Sequence, residues 1–458
     1  MVKFQINLKN NKVLALEPAK IIVFSFAAVI FWGALLLSLP IASKPGQESV
    51  SFLTALFTAT SATCVTGLVV VDTFTQWSLF GQIVILTLIQ IGALGFVTFA
   101  TFFSILLGRK VGLKTMILAQ ESLNHFSFEG ILRLIKNVVI TTFIIELIGA
   151  LILSTRFVPR FGPKGFYMAV FHAISAFCNA GFDIMGQVSP YSSLTTFNED
   201  PVVLYTVSGL VILGGLGFMV WKDLVDYRKT RELLLHTKVV LVVTAFLITL
   251  GTLFFFVFEF NNPNTLASLS FPTKINAAFF HSVATRTAGF NSISIDKMNE
   301  ISKVATILFM FIGAAPGSTG GGVKITTFGV LMVAIISQVR GSNDTIIFKR
   351  KVPHTTVIKS LAIIGLSAML VITVTTLLLI FENNRTFLDI LYEATSAFGT
   401  VGLSSVGTFT LHTASRIFLI VTMFLGRVGP LSFAIALALR SNKKNQDLVY
   451  PEGKIVVG

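Results

Sequence analysis

Charge is scarce in this chain: charged residues make up 12% of its 458 positions, about half the share found in ordinary soluble proteins. Cysteine is scarcer still. Cys64 and Cys178 are the only two, and neither their spacing nor their context suits a metal site or a disulfide framework. No stretch is long and polar enough to form an independent soluble domain. A nucleophile, a base or metal ligands converging within apolar segments are also missing, which removes the basis for a membrane-embedded enzyme. His125, His172, His281 and His412 are scattered and take no catalytic or ligand role. What the chain has in excess is apolar: 53% hydrophobic residues, 44 Phe and a mean hydropathy of +0.82. It reads as one polytopic membrane domain.

The apolar run from Ile21 to Leu39 follows a basic start and superficially resembles a signal sequence. It exceeds the roughly 7–15 residues of such a segment and no small-residue cleavage site follows it, so it is expected to be a retained first span. A net charge of +14 could point to nucleic acid, but the distribution of sign argues against it. Most of the 35 Lys and Arg fall on loops of one side. The other side holds Lys44, Arg156, Arg160, Lys164, Lys274, Lys297, Lys303, Arg385 and Arg416. By the positive-inside rule this asymmetry places both termini in the cytoplasm of a plasma-membrane protein, with no nucleic-acid partner.

The chain repeats itself. Gly67, Gly181, Gly289 and Gly402 lie 108 to 114 residues apart, and each follows a short polar stretch and precedes a large apolar residue. The four segments are Thr63-Cys64-Val65-Thr66-Gly67, Cys178-Asn179-Ala180-Gly181, Arg286-Thr287-Ala288-Gly289 and Gly399-Thr400-Val401-Gly402. Two of them are preceded by Ser-Ala-Phe, at 175–177 and 396–398. Apolar spans precede the anchors at about 20–41, 137–157, 237–260 and 356–381, and follow them at about 77–107, 202–222, 302–340 and 413–440; each can cross a hydrocarbon core of roughly 30 Å. The shorter segments just before each anchor suit half-membrane helices. The expected fold is therefore an all-α polytopic membrane protein with four covalently linked units, each a first span, pore helix, filter and second span, in pseudo-fourfold arrangement. The units are 20–115, 116–232, 233–348 and 349–441, flanked by cytoplasmic segments 1–19 and 442–458.

A second register supports the repeat. Gly92 and Gly95, Gly214 and Gly217, Gly313, and Gly426 and Gly429 follow their anchors, the first glycine of each group by 24 to 33 residues. The largest offset reflects a longer loop, Asp183 to Asp200, in the second unit. Close helix packing accounts for these glycines in the first two units, whereas the last two differ. In the third, Gly313-Ala314-Ala315-Pro316-Gly317-Ser318-Thr319-Gly320-Gly321-Gly322 cannot stay helical, because Pro removes a donor and each Gly costs about 1 kcal/mol relative to Ala. In the fourth, Arg427 occupies the column of Ala93, Gly215 and Ala314.

No polar side chain is common to all four anchor segments at any column. A site can be fourfold alike without one if its ligands are backbone carbonyls replacing the hydration shell of a cation, as in ion-channel filters. Glycine then allows φ > 0, so that successive carbonyls face one axis, and the preceding short helices aim their negative C-terminal ends at it.

These filter segments, with the glycine-rich run that ends in Val323-Lys324, resemble the Trk/Ktr/HKT superfamily of potassium transporters, most closely its KtrB-type membrane subunits, over nearly the whole chain. The resemblance implies a homodimeric, channel-like potassium-uptake subunit with one pore per protomer. Cytoplasmic RCK subunits of the KtrA or KtrC kind, which bind ATP and ADP, would regulate it, with no cofactor in this chain. One filter glycine per unit implies a looser filter and modest selectivity against sodium. The run 313–322 would be an intramembrane gate, and Arg427 an electrostatic barrier in contact with it; a structural ion pair with Glu146 is the alternative. Arg286, in the column of Cys64, Cys178 and Gly399, is expected to point behind the filter and meet a carboxylate. Lys324 lacks the Gly-Lys-Ser/Thr adjacency of a phosphate loop. Basic segments at 109–114, 228–238 and 349–359 suit anionic lipids and equally suit a cytoplasmic ring. An ion-coupled transporter working by alternating access is the competing class, though such folds usually carry two inverted repeats where four parallel ones are read here.

Overall fold

Apolar length and glycine breaks divide the chain into four like units. The structure is a computed structural model that describes residues 4–7, 13–16, 18–107, 111, 115–116, 130–342 and 344–429. A short antiparallel pair, β1 (Phe4–Asn7) and β2 (Val13–Leu16), comes first. Unit 1 holds α1 (Pro18–Leu37), α2 (Phe52–Thr63), the single turn α3 (Thr73–Gln76), α4 (Leu79–Leu94) and α5 (Phe96–Leu106). Unit 2 holds α6 (Ile131–Phe161), α7 (Lys164–Phe177), α8 (Pro201–Gly215) and α9 (Phe218–Thr230). Unit 3 has α10 (Leu235–Glu259), α11 (Phe271–Ala284), α12 (Glu300–Phe311) and α13 (Ile325–Val339). The hairpin β3 (Ile346–Ile347) and β4 (Arg350–Lys351) leads to unit 4, with α14 (His354–Phe381), α15 (Phe387–Gly399) and α16 (Thr413–Val428). The protein is mostly helical, and the two hairpins are the departure from an all-α reading.

Among the described residues α1, α6, α10 and α14 are long and apolar enough to cross a membrane. Their flanks suit lipid: on α6, Phe143, Ile144, Leu147 and Leu151 are all exposed. The short helices α2, α7, α11 and α15, of 12 to 14 residues, are half-membrane elements that end at the four anchor segments. Local chemistry starts them cleanly. Ser51 Oγ accepts from Thr54 N–H and Thr386 Oγ1 from Asp389 N–H, satisfying donors that a helix start leaves open.

The expectation that the glycine pairs of units 1 and 2 serve close helix packing is corrected in part, and the break expected in unit 3 is present. Gly95, Gly217 and Gly429 adopt φ of 81°, 90° and 93° at the ends of α4, α8 and α16, and in unit 3 residues 312–324 leave the helix altogether. In unit 2 the two halves meet at 92°. Close packing explains only the first glycine of each pair. A Cβ at Gly92, Gly214 or Gly426 would collide with the carbonyl oxygen of Thr63, Phe177 or Phe398, the same column in three units. The second glycine breaks the helix, since L-residues resist positive φ. The remainder of the fourth second span, from 430 onward, lies outside the described residues, as do 1–3, 8–12 and 17, most of the segment 109–114, and all of 442–458.

The units close into a ring. Each second-span helix packs on the short helix of the next unit: α4 on α7, α8 on α11, α12 on α15, and α16 back on α2. Carboxylates bind the long helices of units 3 and 4 at one end. Glu259 Oε1 accepts from Asn299 N–H at 2.9 Å, and Glu382 Oε1 from His412 N–H and Ser415 Oγ at 2.7 Å each.

Because the Gly426 seat is filled, Gly426→Ala is expected to destabilise the protein by about 1–3 kcal/mol. Gly365→Ala, where nothing lies within 4 Å of the added carbon, should be neutral or gain up to ~1 kcal/mol. Thermal unfolding of the two purified variants in detergent checks the contrast.

Candidate functional site

The ring brings the four anchor segments together. A Cβ placed on Gly67 would stand 2.6 Å from the Ala180 carbonyl oxygen, and one on Gly181 would stand 2.9 Å from that of Ala288. One on Gly289 would stand 2.8 Å from the oxygen of Val401, and one on Gly402 would strike that of Thr66. Each glycine therefore abuts the carbonyl of the residue before the next glycine, in the order 1, 2, 3, 4 and back to 1. Four oxygens gather among four glycines around one axis.

Their backbone is the same in every unit. The anchor glycines have φ of 90°, 68°, 77° and 90°, and the residues two before them, Val65, Asn179, Thr287 and Thr400, have φ of 58°, 59°, 66° and 50°. The glycine conformation was readable from residue type, but the second left-handed column was not. Its residues include Val and Thr, whose branched side chains disfavour that region at a cost of about 1–3 kcal/mol each. A strained position shared by a Val, an Asn and two Thr residues marks these segments more firmly than any side chain does.

The short helices hold this strain from behind. Backbone bonds run from Thr66 to Ser61, Ala180 to Ser175 and Val401 to Ser396, at 2.7–2.9 Å. The same serines use their hydroxyls as well: Ser61 and Ser396 accept from Gly67 and Gly402 N–H at 3.1 Å, and Ser175 donates to the Phe182 carbonyl at 2.6 Å. Unit 3 has Val283 in that column, and there Thr287 Oγ1 lies 3.1 Å from the Asn179 side-chain amide instead. Beyond the second filter, burial pushes the Asp183 carboxyl up to about 7; the bond from Met185 N–H opposes the rise and nearby Asp72 adds to it.

On the other side of these segments lies the run 313–322, tied to units 2 and 4. Gly313 N–H bonds the Val323 carbonyl and Ala315 N–H that of Gly215, while Gly317 accepts from Phe218 N–H. Ser318 Oγ closes a turn on the Ala315 carbonyl at 2.6 Å. Thr319 Oγ1 donates to the Phe177 carbonyl at 3.2 Å, Gly321 N–H donates to Thr400 Oγ1 at 3.1 Å, and Gly320 lies against Thr287 Oγ1. Ala314, Pro316 and Gly322 shape the turns between. Lys324 Nζ reaches back to the Gly320 carbonyl at 2.6 Å, so it braces the loop.

Arg427 grips this loop through the Thr319 carbonyl and also donates to the carbonyls of Gly92 and Ala93, the latter at 3.2 Å. The last two close α4, so the guanidinium sits at the negative end of a helix dipole. The alternative pairing with Glu146 is not formed. Glu146 instead accepts from Gln90 Nε2 at 3.1 Å, with the Cys178 thiol 3.7 Å away; Gln90 is a partner that sequence reading missed, although an amide inside an apolar span was the available sign. Arg286 does point behind the filter, beside Thr244, Ile248 and Ala314. Among the described residues it meets no carboxylate, and its nearest acceptor is the Gly313 carbonyl, 3.5 Å from Nη2. The broken helix supplies carbonyls where an acid was expected. His172 and His281 are buried against aromatic rings, His412 caps α16, and His125 lies outside the described residues.

Four half-membrane helices ending on one carbonyl-lined axis define a polytopic membrane protein built to pass ions. The comparisons agree: residues 17–447 match the TrkH family, described as cation transport protein, and the chain belongs to that family. It is 42% identical over 442 residues to the Ktr system potassium uptake protein B of Bacillus subtilis, covering 96% of this chain and 97% of that protein. It is 36% identical over 447 residues to the potassium/sodium uptake protein NtpJ of Enterococcus hirae, covering 97% and 98%. The crystal structure of the potassium transporter TrkH from Vibrio parahaemolyticus shares the fold, with a TM-score of 0.73 at 16% identity over 94% of this chain and 87% of that one.

Any side chain at Gly289 meets Gly181 Cα at 2.7 Å in a left-handed conformation. With about 1–3 kcal/mol of backbone strain added to the clash, cation flux through Gly289→Ser in proteoliposomes is expected to fall about tenfold or more. Flux equal to the unmodified protein would remove Gly289 from the ion path.

Proposed function

We propose that this chain is the pore-forming subunit of a potassium-uptake system, in which K+ sheds water onto the main-chain oxygens of the four filters. The observation that carries the reading is the closed ring of anchor glycines, each with the same pair of left-handed residues. The Bacillus and Enterococcus relatives, named for potassium and for potassium and sodium uptake, support the choice of ion. Both termini are cytoplasmic and the filters face outward, as the excess of basic loops on one side supports. The units follow the boundaries 20–115, 116–232, 233–348 and 349–441.

The run 313–322 is the gate. Its hydrogen bonds to units 2 and 4, its glycine content and the Arg427 contact support a loop that blocks the axis at rest and can be withdrawn. A guanidinium beside that axis opposes cation passage until the loop moves. The Ktr system name of the Bacillus relative supports a multi-component assembly: a homodimer of this subunit on a cytoplasmic RCK ring that binds ATP and ADP, docked on basic segments such as 349–359.

Rubidium uptake into vesicles, or rescue of a bacterium that lacks potassium transport, tests the function; no potassium-dependent signal with the partner subunit present would reject it. Replacing Arg427 with Gln frees the loop from its grip and should raise flux without the partner about tenfold; lower flux would instead make Arg427 a support of the open path. Asp183, the one acid within two residues of a filter glycine, is pushed up by burial to about 7, so its charged fraction grows through neutral pH. Uptake at low potassium should therefore rise as external pH passes from 6 to 8, and Asp183→Asn should flatten that rise.

A further inference from the structure

The loop after the second filter is the longest of the four, and it touches all three other units. In unit 1, Asp72 Oδ2 accepts from Tyr191 N–H at 2.9 Å. In unit 3, Leu194 N–H donates to the Asn291 carbonyl at 3.0 Å, and Asn291 N–H to Ser193 Oγ at 3.1 Å. Units 1 and 3 flank unit 2 in the ring, so these are contacts between neighbours. Unit 4 is its diagonal opposite, yet the Tyr191 ring stacks on Phe409 of that unit, with centroids 4.2 Å apart and planes at 17°. Loops from opposite sides of the ring therefore meet beyond the filter.

The segment is held under strain. Tyr191 and Ser193 are left-handed, with φ of 58° and 47°, at a cost of about 1–3 kcal/mol each. Asp72 is its seat. The side chain is 6% exposed; Oδ1 accepts from Phe74 and Thr75 N–H at 3.0 and 2.8 Å while Oδ2 holds Tyr191. A carboxylate that accepts three backbone N–H groups is a strong and directional anchor. Gly186 fits so closely against the same carboxylate that any side chain there would strike it. One end of the loop is thereby locked to unit 1, and its aromatic tip reaches unit 4.

We propose that this strap, seated on Asp72 and closed by the Tyr191–Phe409 stack, is an access filter over the outer mouth that admits alkali cations and excludes bulky organic cations. Asp72 is its positioning residue. The inference rests on the four-filter axis being the ion path with its filters outward.

The test is rubidium uptake by the full-length protein with its partner in proteoliposomes, titrated with external tetraethylammonium. Phe409→Ala removes the stack at a side chain 40% exposed and remote from the filters. Asp72→Asn keeps one oxygen for Phe74 and Thr75 but presents an amide where Tyr191 needs an acceptor. Each variant should be blocked at about tenfold lower tetraethylammonium than the unmodified protein, and the double variant should be no more sensitive than either, since both act on one strap. Phe409→Ala should retain normal uptake in the absence of blocker. Equal block in all proteins, or additive effects, overturns the access filter alone. Failure of the unmodified protein to carry rubidium overturns the ion-path reading and the access filter with it.

Discussion

The alternation of left-handed and ordinary residues at each filter is the constraint on which the rest of the molecule is arranged. An extended strand would point successive carbonyls to opposite sides. Placing residues such as Val65 and Gly67, or Thr400 and Gly402, at positive φ turns those carbonyls to a common side, which is what a dehydrated cation requires. Four non-glycine residues at such angles represent several kcal/mol of strain. Only a surrounding structure that over-determines the filter can hold it. The short helices supply that support with their final turns, their negative ends and the serine column at Ser61, Ser175 and Ser396.

The helix breaks follow from the same demand. For four short helices to converge, each second-span helix must approach the end of one closely enough to touch its carbonyl, which is why Gly92, Gly214 and Gly426 carry no side chain. The chain then has to turn away from the axis, and Gly95, Gly217 and Gly429 provide the turn. In unit 3 the turn is extended into a loop, 312–324, so that loop is an enlargement of a break that the other units already have. Arg427 is accommodated in this apolar setting because the breaks expose carbonyls: those of Gly92, Ala93 and Thr319 accept its N–H groups, and among the described residues no acid pairs with it.

The fourfold repeat, the anchor glycines, the short helices and the glycine-rich loop were all legible, because each depends on residue type or on apolar length. What stayed hidden depends on neighbours distant in sequence. Val65 in a left-handed conformation contradicts its own preference and is forced only by the assembled ring. The breaks at Gly95 and Gly217 looked like packing glycines because both lie inside apolar runs long enough to be read as one span. Arg286 was expected to find an acid, since its charge is visible in sequence while the Gly313 carbonyl, freed by a broken helix, is not. Gln90 beside Glu146 and the Tyr191–Phe409 stack join positions far apart in the chain, and no local pattern announces either.

Joining the four units in a single polypeptide has a consequence for how much each can differ. In an assembly of four identical subunits, a loop as large as 313–322 would arrive at the axis four times over, together with four guanidiniums at the position of Arg427, and the conduit would be both overfilled and prohibitively positive. Covalent linkage lifts that symmetry requirement. Unit 3 contributes the glycine-rich loop, unit 4 the arginine and unit 2 the long segment that carries Tyr191, so the ring of anchor glycines stays fourfold alike while each of these elements is present once.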